Sequence, residues 1–204
     1  MARRLIPWVA AVAVGCAPNP SADEIPVPAL PLPMSAMAGV EVVLYPLTMV
    51  LSEAELGWED ALSPRDSALR VADSLIARAL TERVPEVMWV LPEEMRRVAR
   101  RAPGILMDPD RMATAMLRHN LSKTPDPLQS QMRSLTGAVG DRLSLVPASL
   151  LFYREPDGTG RAELSMVLVD VRLGDIWWRS VVKGTGSDPW MALRVALETL
   201  APGL

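Results

Sequence analysis

The sequence contains very few of the residue types on which most catalytic and metal sites are built. Its 204 residues include one cysteine, Cys16, and one histidine, His119. A single cysteine excludes a disulfide within the chain, and one histidine among scattered carboxylates is a poor ligand set for zinc. No Gly-x-Ser-x-Gly motif accompanies the single histidine that a serine nucleophile would need as its base. The sequence therefore predicts a protein that is not an enzyme and that holds no metal and no cofactor.

An excess of basic residues is also missing. The chain has 21 lysines and arginines against 24 aspartates and glutamates, which gives a net charge of -3 at pH 7. This balance is not that of a nucleic-acid-binding protein, so we predict no nucleic-acid partner. Half of the residues are hydrophobic. A chain of this length and composition can form one domain with a substantial core.

The first residues show the three regions of a secretory signal peptide. Arg3 and Arg4 precede an apolar segment, residues 5–14, and the small residue Gly15 follows it. The apolar segment is far shorter than the roughly 20 residues that span a bilayer. We therefore predict that residues 1–15 are a signal peptide and that the protein is exported.

The cysteine lies where this segment ends. Ala13-Val14-Gly15-Cys16 resembles the bacterial lipobox, whose cysteine receives a diacylglyceryl group and becomes the mature amino terminus. The resemblance implies a lipoprotein anchored to a membrane of the cell envelope through acylated Cys16. Ala17 after the cysteine points to the outer membrane, with the protein facing the periplasm. The alternative is an ordinary signal peptide cut after Ala17, which leaves Cys16 as a free thiol.

Residues 16–39 have a different composition from the rest of the chain. Six prolines lie between Ala17 and Gly39, and no helical or strand period is visible. We interpret this segment as the lipidated cysteine followed by a proline-rich tether. Residues 40–204 are then the folded domain.

The pattern of residues 40–204 predicts a single α/β (α+β) domain. A mixed sheet of about five strands ends in an antiparallel meander, because turn-forming residues join the last three strands, and helices pack on the sheet. Ser63 is expected to cap the first helix, with Pro64 at its first position, and Asp108 and Ser187-Asp188 precede two others. The predicted strands are 40–47, 87–91, 143–153, 161–171 and 176–183, and the helices begin at 64, 92, 109, 128 and 189.

The order of these elements resembles the amino-terminal domain of TolB and the envelope lipoproteins LpoB and CsgG. The matching residues are Tyr45-Pro46-Leu47 at a strand end, residues 87–91 running into a helix, and residues 168–177, where an apolar strand, an aspartate, a turn glycine and an early tryptophan follow one another. The resemblance covers about residues 40–202, and residues 105–127 look like an insertion. It implies a non-enzymatic accessory module that binds an envelope protein or a peptidoglycan partner.

Two other functions remain open. One is a hydrolase of envelope polymers with a dispersed acidic site formed by Asp108, Asp110, His119 and Asp157. Such a site requires these groups to meet at one reacting centre. Their simpler interpretation is structural, because Asp108 fits a helix cap, His119 a helix end and Asp157 a turn. The other alternative is a subunit of a CsgG-like secretion assembly.

Four arginines of one predicted helix are candidates for binding a partner. Arg96 and Arg100, and likewise Arg97 and Arg101, lie one helical turn apart. Such a cluster suits an acidic or otherwise anionic partner. The alternative is a solvent-facing surface that is partly neutralised within the helix, since Glu93 lies four residues before Arg97.

Tryptophans are the other candidates. Trp177 and Trp178 are adjacent on a predicted strand, so their side chains point to opposite faces of the sheet. If helices cover both faces, both side chains are packed; if they cover one, the other side chain is exposed to a partner. We take Trp178, and Trp58 in a predicted loop, as candidate partner contacts.

Overall fold

The computed structural model describes residues 29–140 and 142–200. The signal peptide, Cys16 and the first part of the tether lie outside these residues. The helices are α1 (Met34–Met37), α2 (Arg65–Arg83), α3 (Pro92–Arg101), α4 (Leu128–Val139) and α5 (Pro189–Leu200), and the strands are β1 (Glu41–Leu44), β2 (Val50–Ser52), β3 (Met88–Val90), β4 (Leu143–Arg154), β5 (Gly160–Asp170) and β6 (Asp175–Gly186). Three short 3-10 helices span Ala54–Leu56, Pro109–Arg111 and Thr114–Arg118.

The strands form one mixed sheet in the order β3-β1-β4-β5-β6, with β2 also paired to β4. β1 runs parallel to β3 and β4, whereas β4, β5 and β6 form antiparallel pairs. This confirms the single α/β domain and its carboxy-terminal meander. The sheet has six strands where about five are predicted, because the three residues of β2 are too few to show a period.

Helices pack on both faces of the sheet, because alternate side chains of the strands are apolar on both sides. On the first face, side chains such as Val42 and Leu44 pack with α2 and α5. On the second face, Val43 and Tyr45 pack with α3, α4 and the 3-10 helix Thr114–Arg118. The domain therefore has one core on each side of a single sheet.

Contact between α5 and β6 requires glycine. A β-carbon at Gly184 would lie 2.2 Å from the backbone nitrogen of Ala196 and 2.5 Å from the carbonyl oxygen of Ala192. The helix backbone thus rests directly on the strand. Asp188 caps this helix as predicted, since its carboxylate accepts hydrogen bonds from the backbone N–H groups of Trp190 and Met191 at 3.0 and 2.9 Å.

Two helix starts differ from the prediction. Ser63 does not cap α2, because Pro64 has extended backbone and itself occupies the cap position, without a side-chain hydrogen bond. The predicted helix from 109 to 117 is two 3-10 helices, because Met112 between them has extended backbone and is buried in the second core. Asp108 does act as a cap, and its carboxylate accepts a hydrogen bond from Asp110 N at 3.1 Å.

The last part of the predicted tether belongs to the folded domain. Leu32 and Met37 are buried in the first core because they are apolar and lie beside α5 and the sheet. Leu30 N donates a hydrogen bond to Ser180 Oγ at 2.8 Å, and Leu32 N donates one to the carbonyl of Leu200 at 3.1 Å. Across residues 29–140 and 142–200, no helix has both the length and the apolar character needed to cross a membrane.

Candidate functional site

A groove of about 920 Å³ lies between α3, α4 and the segment 102–111. We call it the α3–α4 groove. Its walls combine apolar and polar side chains, and its charged members come from α2, α3 and the segment itself. These charged residues are Arg70, Arg96, Arg100, Asp108, Asp110 and Arg111.

The orientation of α3 divides the predicted arginine cluster. Met95 and Ala99 are buried in the second core, which fixes the side of the helix that faces the sheet. Arg96 and Arg100 then line the groove, whereas Arg97 and Arg101 do not line it and are exposed. The four arginines therefore do not form one continuous binding surface.

Arg96 is buried, with 5% of its surface exposed, and is surrounded by carboxylates. Its Nε donates to both oxygens of Asp110 at 3.0 and 2.9 Å, and its Nη1 donates to Glu93 Oε1 at 2.8 Å. Its Nη2 donates to Asp73 Oδ2 and to Asp110. Because three carboxylates already bind its guanidinium, Arg96 links α2, α3 and the 3-10 helix Pro109–Arg111 and is not available to a partner.

Asp73 is the least exposed carboxylate of this network. Burial raises the pKa of Asp73 to about 6, although hydrogen bonds from Leu47 N, at 2.8 Å, and from Arg96 act in the opposite direction. Burial also acts to lower the pKa of Arg96, but its hydrogen bonds to Asp110 and Asp73 outweigh that effect and raise it. The network therefore holds a permanently charged guanidinium beside a carboxyl that titrates near pH 6.

Arg100 and Arg111 are the cations of the groove that remain unpaired. Neither guanidinium has a hydrogen bond or ion pair within the described residues, and both side chains belong to exposed residues. Arg70, also in the groove, lies 3.8 Å from Glu93 Oε1. Outside the groove, Arg97 pairs with Glu94. Two positive charges in the groove are thus free to meet a negative ligand.

The segment after α3 presents apolar side chains to solvent. Gly104 has φ +81°, a conformation that favours glycine, and Leu106 N donates to the carbonyl of Ala102 at 3.0 Å. The resulting turn places Ile105 at its tip with 83% of its surface exposed, and Met107 is also exposed. The sequence pair Pro103-Gly104 signals this turn, but not the exposure of the isoleucine.

The groove does not assemble the predicted acidic site. Asp108 and Asp110 line it, but His119 and Asp157 do not. Asp157 accepts hydrogen bonds from the N–H and the hydroxyl of Thr159 at 2.9 and 2.7 Å, and these bonds lower its pKa. It therefore shapes the β4–β5 turn. Within residues 29–140 and 142–200, no group of three or more histidines, cysteines and carboxylates could hold a metal ion.

Trp58 has a structural position rather than an exposed one. It packs edge-to-face on Phe152 with ring centroids 5.4 Å apart, and its ring covers Gly160, where a β-carbon would lie 2.0 Å from it. It is half-buried and joins the first core. The loop aromatic that the sequence marks as a partner contact thus packs against that core.

The pair of tryptophans on β6 lies at a β-bulge. Trp178 is opposite Leu168 and Ile176 is opposite Val169, so Trp177 is the extra residue. Trp178 is half-buried against the first core, whereas Trp177 has 49% of its surface exposed and lies 5.2 Å from the guanidinium of Arg142. The exposed member of the pair is therefore Trp177 and not Trp178.

No family model matches this chain, and no curated protein matches it. Among solved structures, the chain is similar to the LpoB C-terminal domain from Salmonella enterica, with 15% identity, 74% of this chain and 84% of that chain covered, and a TM-score of 0.40. It is similar to the PelC dodecamer from Paraburkholderia phytofirmans, with 15% identity, coverage of 86% and 93%, and a TM-score of 0.36.

A third similar structure is a lipoprotein from Neisseria meningitidis, with 12% identity, coverage of 72% and 81%, and a TM-score of 0.35. LpoB is one of the proteins that the sequence resembles, and the resemblance to TolB and CsgG stays a prediction. Similarities of this size assign neither a family nor a function to the chain.

Proposed function

We propose that this protein is a lipoprotein of the bacterial cell envelope whose domain is a non-enzymatic binding module for an envelope protein. Acylated Cys16 anchors it in the outer membrane, facing the periplasm, and the proline-rich tether joins the anchor to the domain. The binding role rests on one observation, the α3–α4 groove. There the turn at Gly104 exposes Ile105, and the unpaired Arg100 and Arg111 line the same groove. An exposed apolar side chain with neighbouring arginines is typical of protein contact sites.

The attachment of the tether supports this role. Leu32 and Met37 pack in the first core, and Leu30 bonds to Ser180 of β6. The groove lies against the second core, on the other face of the sheet. The described end of the tether therefore lies on the face of the sheet opposite the groove.

The anchor is tested by the intact mass of the protein recovered from a bacterial membrane fraction. The natural sequence is expected to begin at an acylated Cys16, and Cys16→Ser is expected to abolish both the acylation and the membrane recovery. A soluble product that begins at another residue would contradict the anchor without affecting the binding role.

The binding role is tested by crosslinking in living cells. A photoreactive residue in place of Ile105 is expected to crosslink to one envelope protein. The matched control is the same residue at Leu173, which is 55% exposed in the β5–β6 turn. Equal products from the two positions, or none from position 105, would refute the groove as the contact site.

A further inference from the structure

The chemistry of the groove indicates what kind of segment it accepts, and this step rests on the proposed binding function. We propose that the α3–α4 groove binds an acidic, amphipathic peptide segment of the partner protein. Its carboxylates pair with Arg100 and Arg111, and an apolar side chain between them packs on the turn that bears Ile105.

Charge gives the first argument. Two of the four arginines that line the groove, Arg100 and Arg111, have no carboxylate partner within the described residues. The whole chain has a net charge of -3, so these two unpaired cations are opposite in sign to the protein as a whole. Unpaired cations attract an acidic segment that the net charge of the protein repels.

The distribution of that charge gives the second argument. The Arg96 guanidinium is bound by three carboxylates, and Asp110 is one of them. Asp108 accepts a hydrogen bond from the Asp110 N–H. Arg100 and Arg111 are therefore the guanidiniums of the groove that are free to form paired hydrogen bonds with carboxylates.

The apolar part of the groove favours a peptide over a small anion. Ile105 and Met107 are exposed, and Leu106 is half-buried against the second core. A simple anion leaves these side chains in water, whereas a leucine-like side chain removes apolar surface from water as it binds. The volume of about 920 Å³ lies at the upper end of small-molecule pockets, which leaves room for several residues.

The α4 wall offers one further polar group. Ser130 donates to Asp126 and Ser134 donates to the carbonyl of Ser130, so both hydroxyls are already bonded. The side-chain amide of Gln131, in contrast, has no hydrogen-bond partner within the described residues and lines the groove. An amide has both donors and an acceptor, which suits the backbone of an extended peptide.

The test uses the full-length protein in detergent and three fluorescent dodecapeptides, with binding measured by anisotropy. The first peptide has two glutamates flanking a leucine in a serine-glycine background, the second has lysines for the glutamates, and the third has serine for the leucine. The first is expected to bind at least about tenfold more tightly than either of the others. Its affinity is expected to fall as salt is raised.

Variants locate the binding. Arg100→Gln and Arg111→Gln are each expected to weaken the first peptide about tenfold, since each removes a charge-assisted hydrogen-bonding group. Arg101→Gln is the matched control, because it removes a neighbouring exposed arginine of α3 that does not line the groove. Thermal unfolding of all three variants is expected to match that of the natural protein.

Three outcomes would overturn the inference. They are equal binding of the lysine peptide, equal binding of the serine peptide, and tighter binding of an oligogalacturonate probe, which would indicate an anionic polysaccharide. Crosslinking from position 105 separates this failure from that of the proposed function. A crosslink that persists in Arg100→Gln/Arg111→Gln keeps the groove as a protein contact and removes only the acidic class of partner.

Discussion

The two faces of the sheet are packed by different means. On the first face, α5 lies so close to β6 that glycine is required, and apolar side chains fill the remaining space. On the second face, polar side chains also bridge the elements: Tyr45 Oη lies 2.9 Å from Thr136 Oγ1, and Thr136 Oγ1 lies 3.1 Å from Ser144 Oγ. Arg96 of α3, on this face, binds Asp73 of α2, which packs on the first face, so this ion network joins the two sides. The groove lies on this second face.

This difference shows how one sheet supports both a tight core and an open site. Apolar burial is non-directional and favours close approach, as between α5 and β6. Hydrogen bonds and ion pairs are directional and can hold elements at a fixed separation. The Arg96 network holds the 3-10 helix Pro109–Arg111 to α2 and α3, so a groove is kept open beside it.

The largest effect is expected from breaking the Arg96 ion network, which joins α2 to α3. Arg96→Met leaves Asp73 buried without its cation, so the free energy of unfolding should fall by about 3–5 kcal/mol. Urea unfolding at pH 7 measures it. Arg101→Met, at an exposed position of the same helix, should change it by less than about 0.5 kcal/mol. Similar values for the two variants would show that the Arg96 network does not stabilise the fold.

The titration of Asp73 should give the next largest effect. Its pKa is about 6 in the folded protein, against 3.8 for an exposed aspartate, so the folded state takes up the proton first. This contribution to stability is fully present below about pH 4 and is lost as the pH rises through about 6. Its size is about 3 kcal/mol at most, since the two pKa values differ by roughly two units.

Unfolding of the natural protein and of Asp73→Asn between pH 4 and pH 8 measures this effect. The charged groups facing Asp73 are Arg96 and Asp110, with Glu93 on the far side of the guanidinium. The free-energy difference between the natural protein and the variant should decrease as the pH rises. A constant difference, or one that increases, would mean that Asp73 stays ionised in the folded protein.

The first face is expected to respond to an added methyl group. Gly184→Ala places a β-carbon against the backbone of α5, which cannot move aside as a side chain can. We therefore expect the free energy of unfolding to fall by about 1–3 kcal/mol. Gly137→Ala in α4 is the opposite case, because nothing lies within 4 Å of its β-carbon position. The free energy of unfolding of that variant should rise by about 0.5–1 kcal/mol, because alanine favours the helix more than glycine does. Thermal unfolding distinguishes the two signs.

The smallest effect is expected at the hydroxyl chain of the second face. Tyr45→Phe removes one buried hydroxyl but leaves Thr136 its contact with Ser144. The free energy of unfolding should therefore fall by about 1 kcal/mol. Burial raises the pKa of Tyr45, which therefore stays protonated at neutral pH. A loss as large as that of Arg96→Met would show that the hydroxyls stabilise the second face as much as the ion network does.

The sequence predicts those elements whose signals are local. β4, β5 and β6 were within reach because apolar residues fill them and turn formers separate them, and α2 because its apolar residues recur on one side of the helix. β2 could not be predicted, since its three residues become a strand only by pairing with β4. The folded domain also begins before residue 40, where the sequence places the end of the tether. No local pattern shows this, because the burial of Leu32 depends on contacts with α5 and the sheet.

The candidate site was only partly predictable. The sequence pairs Glu93 with Arg97, but Glu93 binds Arg96 and Arg97 binds Glu94. Asp73 and Asp110 reach the Arg96 guanidinium from other elements. An arginine that the sequence presents as a surface group is therefore buried. Arg111 and Ile105 meet Arg100 only when the chain after α3 folds back, which no local pattern reveals.

The hydrogen bond from Leu32 to Leu200 also has a mechanical meaning. Any tension on the chain ahead of residue 29 enters the domain at the carboxyl end of α5 and at Ser180 of β6. β6 lies at one edge of the sheet, and the helices that border the groove are on the far face. If the domain is anchored as proposed, a pull on the chain acts on the face where α5 rests directly on β6, and not on the face that carries the groove.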